Sequence, residues 1–180
     1  MRRTTVKREG GAILKSFRLP PKLVEVLLTD ARENSRTATE QLVWILRNYA
    51  EFDRFAPKFG FVTLSRRTFK AIVDAIPEEE IQEIAIKQSV RLSELMEFWF
   101  KKKDLDALLA ALELFSKHLR LMEYAISRTN HDLTITMRTD LGKKAVLFAA
   151  AYWEAGISMT LGIAAKVEVG ENQFTLRLPV

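Results

Sequence analysis

Residues 12–55 run AILKSFRLPPKLVEVLLTDARENSRTATEQLVWILRNYAEFDRF, and the reading of the fold turns on them. Residues 12–19 suit a strand. In a strand alternate side chains point to opposite faces, so Ile13, Lys15, Phe17 and Leu19 share one face and Ala12, Leu14, Ser16 and Arg18 the other. Pro20 and Pro21 end the strand, and proline fits the first turn of a helix because its missing N–H would be unpaired there anyway. That helix is predicted to reach about Glu33, with Leu23, Val26 and Leu27 at helical spacing. Asn34 and Ser35 form the break, since Asn tolerates the left-handed conformation that ends helices. Thr37 followed three residues later by Glu40 is a capping box. Leu42, Ile45, Leu46 and Tyr49 then recur at i, i+3, i+4, i+7, and the second helix fades near Phe55 before Pro57.

One strand has no partner within this segment, and an unpaired strand leaves its backbone groups unsatisfied. Two short helices enclose little core. A second copy remedies both, with the two strands pairing antiparallel. Ser16 and Arg18 of both copies then lie on one exposed face of a two-stranded ribbon, a shape that enters the major groove of duplex DNA.

In this layout, AILKSFRLP, then PKLVEVLLTDARENS, then RTATEQLVWILRNYAEF, the segment resembles the ribbon-helix-helix family of DNA-binding repressors. The resemblance implies an intertwined dimer. It also implies that alternate strand side chains read bases and that the start of the second helix faces a phosphate. Carried over by position, Leu14, Ser16 and Arg18 take the base-contacting places. Thr37, Ala38 and Thr39 take the phosphate-facing start of the second helix. The chemistry of these residues agrees. Arg bonds bidentately to guanine, Ser donates or accepts, and a helix N-terminus offers free N–H groups to an anion. The sequence departs from the family at Leu14, apolar where a polar reader is usual, and at Lys15, on the core-facing side of the strand. Its turn carries Asn34 and Ser35 in place of the frequent glycine.

Charge is distributed to match. The chain has 180 residues and a formal net charge of +5. Arg2, Arg3, Lys7, Arg8, Lys15 and Arg18 stand against Glu9 alone in residues 1–18, so the whole excess lies there. Residues 1–11 read as a flexible basic arm. Its Arg2, Arg3, Lys7 and Arg8 are expected to contact the DNA backbone irrespective of sequence.

Residues 56–60 read as a linker and 61–180 as a second domain. Residues 61–64 suggest a short strand. Ser65 can cap a helix through Ala75, and Pro77 with Glu78, Glu79 and Glu80 marks a helix start whose acids complement the helix dipole. Residues 101–103 break that helix, and Asp104 caps a third reaching about His118. Residues 119–126 and 133–137 read as strands. Asp140 is predicted to cap a long helix that is apolar on two sides, hence buried on two sides. Residues 165–169 and 173–178 flank Gly170, Glu171 and Asn172 as a hairpin. The fold class is therefore α+β: an N-terminal ribbon-helix-helix, then a domain with a helical segment and a four-stranded, mostly antiparallel sheet around a central helix.

Several functions are excluded on composition. Hydrophobic residues at 48% are a globular share. The absence of Cys rules out disulfides and thiolate sites. The longest apolar run, residues 145–153, is too short to span a membrane, and no apolar segment follows the basic start as in a secretory signal, so a cytoplasmic protein is expected. His118 and His131, the only histidines, lack ligand spacing, so neither a metal nor a cofactor is expected. No glycine-rich phosphate loop or nucleophile motif stands out, and an enzyme is not expected. The aromatic residues Phe98, Trp99, Phe100, Tyr152 and Trp153 suggest core, a subunit interface or a ligand pocket. Trp44 and Leu28, off the main helical stripes, suit a wider core or docking of the second domain.

The expectation is a homodimeric, sequence-specific transcriptional regulator bound to double-stranded DNA. Its C-terminal domain would oligomerise further, sense a ligand or contact a protein. The alternative is an antitoxin-type module that dimerises through the ribbon-helix-helix and captures a protein partner.

Overall fold

The computed structural model describes residues 15–129 and 131–179. They fall into two compact units divided between Glu51 and Phe52.

In the first unit, helix α1 (Pro21–Glu33) begins behind Pro20, and helix α2 (Ala38–Asn48) begins behind Thr37. Both starts lie where the sequence places them. The turn between them is made by Ser35, not Asn34: Ser35 carries the left-handed φ of 52°, while Asn34 keeps a φ of −96°. Asn34 caps α1 instead, its Nδ2 donating to the Asp30 carbonyl at 2.8 Å. Only Ala31 and Gln41 are buried among the described residues of this unit. Leu23, Val26, Val43, Ile45, Leu46 and Tyr49 are all exposed. The mixed α+β class is as expected, and among the described residues no strand is formed ahead of α1. Lys15, Ser16, Phe17, Arg18 and Leu19 pair with no strand. Residues 12–14 of the expected strand lie outside the described residues.

A π-helical turn (Tyr49–Asp53) extends α2 and a 3-10 turn (Ala56–Phe59) follows. The expected linker at 56–60 is thus structured, and its reason is aromatic. Phe59 meets Phe98 and Trp99 at ring-centroid distances of 4.7 and 4.8 Å, and Phe55 meets Phe98 edge-on at 5.2 Å. Such pairs hold a short turn against a helix. The strand expected at 61–64 is absent, since those residues pair with no strand.

In the second unit, α3 (Arg66–Ala75) is capped by Ser65, whose Oγ accepts from Thr68 N–H at 3.1 Å. Helix α4 (Glu78–Phe100) follows Pro77, and α5 (Leu105–Leu119) is capped by Asp104 through Ala107 N–H at 2.9 Å. Then come β1 (Glu123–Arg128), β2 (Asp132–Arg138), α6 (Lys143–Leu161), β3 (Lys166–Val169) and β4 (Gln173–Pro179). The four strands form one antiparallel sheet in the order β1-β2-β4-β3. Leu119, expected to open a strand, instead ends α5.

One sheet face is apolar. Leu133, Ile135 and Met137 of β2 and Phe174, Leu176 and Leu178 of β4 are buried with Leu92, Leu108, Leu112, Val146, Trp153 and Ile157 of the helices. The alternate residues form the other face, where Thr136 and Thr175 lie opposite each other with hydroxyls 3.3 Å apart. This is the period-2 alternation of a sheet covered on one side. Helix α6 is central, touching both sheet and α4, and its buried residues run round it. At Gly156 the two helices meet so closely that an added Cβ would lie 2.9 Å from Leu92 Cδ2.

Asp140 does not cap α6. It pairs with Arg66, and the helix starts two residues later behind Gly142, at φ 92°. Leu141 between them is buried, its N–H donating to Thr139 Oγ1, so the chain turns inward before the helix begins. Lys144 Nζ then donates to the Asp74 and Ile76 carbonyls at the end of α3, a cation where a helix is partially negative. No helix among the described residues is long and apolar enough to cross a membrane.

Candidate nucleic-acid interface

The first unit carries the predicted site. Ser16 and Arg18 are described and exposed, immediately before α1. Leu14, Arg2, Arg3, Lys7 and Arg8 lie outside the described residues.

Thr37, Ala38 and Thr39 are brought together by the start of α2. The capping box is complete. Thr37 N–H and Thr37 Oγ1–H both donate to Glu40 Oε2, at 2.8 and 2.9 Å, and Glu40 N–H donates to Thr37 Oγ1 at 3.2 Å. The Thr37 backbone hydrogen bond, then its hydroxyl and the nearby Arg36 charge, hold the Glu40 carboxyl below its ordinary range. Thr37 therefore has both donors engaged. The first two helical residues, Ala38 and Thr39, keep the N–H groups that no earlier turn of the helix can satisfy. Ala38 and Thr39 are the better placed of the three to meet an anion.

Arg36 was not among the expected site residues. It leaves the turn with its guanidinium 5.1 Å from the centre of the Trp44 ring and with Nη1 donating to buried Gln41 Oε1 at 3.0 Å. Trp44 is thus used within its own unit. Arg36 precedes the N-cap and lies outside α2, so no helical spacing to Trp44 announces the contact.

The apolar faces of α1 and α2 complete the geometry. Leu23, Val26, Ile45, Leu46 and Tyr49, all exposed, belong to the stripes that the sequence spacing marks as core. A lone hairpin has no partner for them.

In the second unit, the two histidines do not come together in a ligand cluster. Among the described residues no three His, Asp or Glu side chains are grouped to hold a metal ion. His118 lies flat on Phe52 at 4.6 Å, and His131 is an exposed turn residue. The expected aromatic group divides. Phe98 and Trp99 join the Phe55 and Phe59 cluster, while Tyr152 and Trp153 line an apolar cavity. No protein-family model matches the chain, and no curated protein matches it.

Proposed function

We propose that the protein is a sequence-specific DNA-binding transcriptional regulator that acts in the cytoplasm as a homodimer. Two copies of residues 12–19 pair as a ribbon in the major groove. Leu14, Ser16 and Arg18 meet base edges, and Ala38 and Thr39, beside Thr37, take a backbone phosphate. The basic residues Arg2, Arg3, Lys7 and Arg8 add attraction that is blind to sequence.

The observation that carries this reading is the bareness of the first unit. Leu23, Val26, Leu46 and Tyr49 are each more than half exposed on α1 and α2. Burying one such side chain is worth about 1.5–3 kcal/mol. A second copy buries all of them twice. Arg18 is exposed, with Leu19 and Pro20 between it and α1.

The test is duplex binding across a salt series. The logarithm of affinity should fall with the logarithm of salt by about 0.9 for each phosphate neutralised. Arg18→Ala should reduce discrimination between sequences, whereas removal of residues 1–9 should weaken all duplexes alike. Flat salt dependence rejects the reading. A tightly co-purifying protein with no preferred duplex would favour the antitoxin-type alternative, in which the same bare faces serve dimerisation and capture.

A further inference from the structure

The second unit contains a cavity of about 210 Å³ between α6 and helices α3 and α5. Its walls are almost wholly apolar, including Phe69, Leu119, Met137, Phe148 and Trp153. Two polar side chains reach it. Ser116 is spent, its Oγ donating to the Met122 carbonyl at 2.8 Å. Tyr152 is different: its hydroxyl makes no hydrogen bond among the described residues. Tyr152 is half-buried, so its hydroxyl is free to meet an occupant. Burial pushes this one up to about 12, so it stays a neutral donor, and the Arg91 charge acts in the opposite direction.

Arg91 is the second observation. A recess lined by Phe59, Gly60, Gln88 and Arg91 adjoins the cavity and shares Phe61, Leu95 and Tyr152 with it. Arg91 is exposed and forms no ion pair among the described residues. Apolar walls lead to a tyrosine hydroxyl and then to an uncompensated guanidinium. That order suits one chemical class of occupant, with an apolar body inside and an anion at the mouth.

We propose that this cavity is a binding site for a small monocarboxylate with an apolar body, the carboxylate meeting Arg91 and the Tyr152 hydroxyl. Size sets the body. An apolar cavity of about 150 Å³ holds a benzene ring. By proportion this one takes about eight to ten carbons, a medium aliphatic chain or a two-ring aromatic. The site uses residues 60–153 alone and goes beyond DNA binding, so it stands whether or not the first unit binds DNA.

The test uses the full-length chain with octanoate and, as its uncharged counterpart, 1-octanol. Binding is followed by Trp fluorescence and by calorimetry. Octanoate should saturate one site and bind about tenfold tighter than octanol, the discrimination expected of a charge-assisted hydrogen bond. Ala149→Leu, which fills the cavity, should abolish binding of both probes, and Ala145→Leu on the same wall replaces it if that variant does not fold. Arg91→Gln, on an exposed position, should leave octanol unchanged and reduce octanoate to the octanol level. Absence of saturable binding by octanoate overturns the proposal. So does octanoate binding that survives the filling variants, or that equals octanol in the unaltered protein.

Discussion

Thr37 and Glu40 close on each other at the start of α2, with the Thr37 N–H and hydroxyl both donating to one carboxylate oxygen. This couples helix stability to the site proposed for a phosphate. Thr37→Ala removes the side-chain half of the box and should destabilise the first unit by about 1 kcal/mol, measured by chemical denaturation. Glu40→Gln keeps an acceptor for Thr37 but removes a negative charge beside the expected phosphate. It should tighten duplex binding several-fold at low salt. If affinity is unchanged, the start of α2 does not face the DNA backbone.

The same pair sets a pH dependence. Its hydrogen bonds to Thr37 hold the Glu40 carboxyl below the ordinary value of 4.5. A carboxyl with a lowered folded value binds fewer protons folded than unfolded in the window between the two values. Its stabilising effect is therefore complete above the ordinary value and is lost as pH falls through the lowered one. Carboxyl chemical shifts of Glu40 should show a midpoint below 4.5, and Thr37→Ala should move that midpoint up.

The starts of α1, α2, α3, α4 and α5 were legible because each is written locally: Pro20 and Pro21, Thr37 with Glu40, Ser65, Pro77, and Asp104. The start of α6 was not. Asp140 has the right chemistry for a cap, but Arg66, distant in sequence, takes its carboxylate. The residues at 56–60 looked like a linker because Pro57 and Gly60 bracket them. Their aromatic partners Phe98 and Trp99 lie near the end of α4, beyond α3, and nothing local announces that contact. At the candidate site, the Thr37 cap follows from residue type and spacing. The engagement of Thr37 by Glu40 follows too, but its consequence for a phosphate becomes evident only when both donors are seen to reach one oxygen.

The bare helix faces make a prediction about assembly. The full chain should sediment as a dimer or larger. Leu46→Lys, at a position 53% exposed in one copy, should shift it towards monomer while leaving the unfolding of the second unit unchanged. A monomeric unaltered protein would contradict the ribbon.

Stability of the second unit should depend on Gly156. Its absent Cβ leaves space for Leu92 Cδ2 at 2.9 Å and the Ser89 carbonyl at 3.3 Å. Gly156→Val should destabilise the unit by about 3 kcal/mol, since a branched side chain forces α4 and α6 apart. Gly156→Ala should cost less, because the end of Leu92 can turn and alanine favours the helix. Denaturation followed by Trp fluorescence separates the two.

The most direct measurement of the central proposal is selection of bound sites from a pool of random duplexes by the full-length protein. A homodimer reading bases through a symmetric ribbon should recover an inverted repeat, and Arg18→Ala should blur that repeat at matching positions in both halves. Recovery of no enriched sequence, or of a site without two-fold symmetry, would contradict the paired-strand reader.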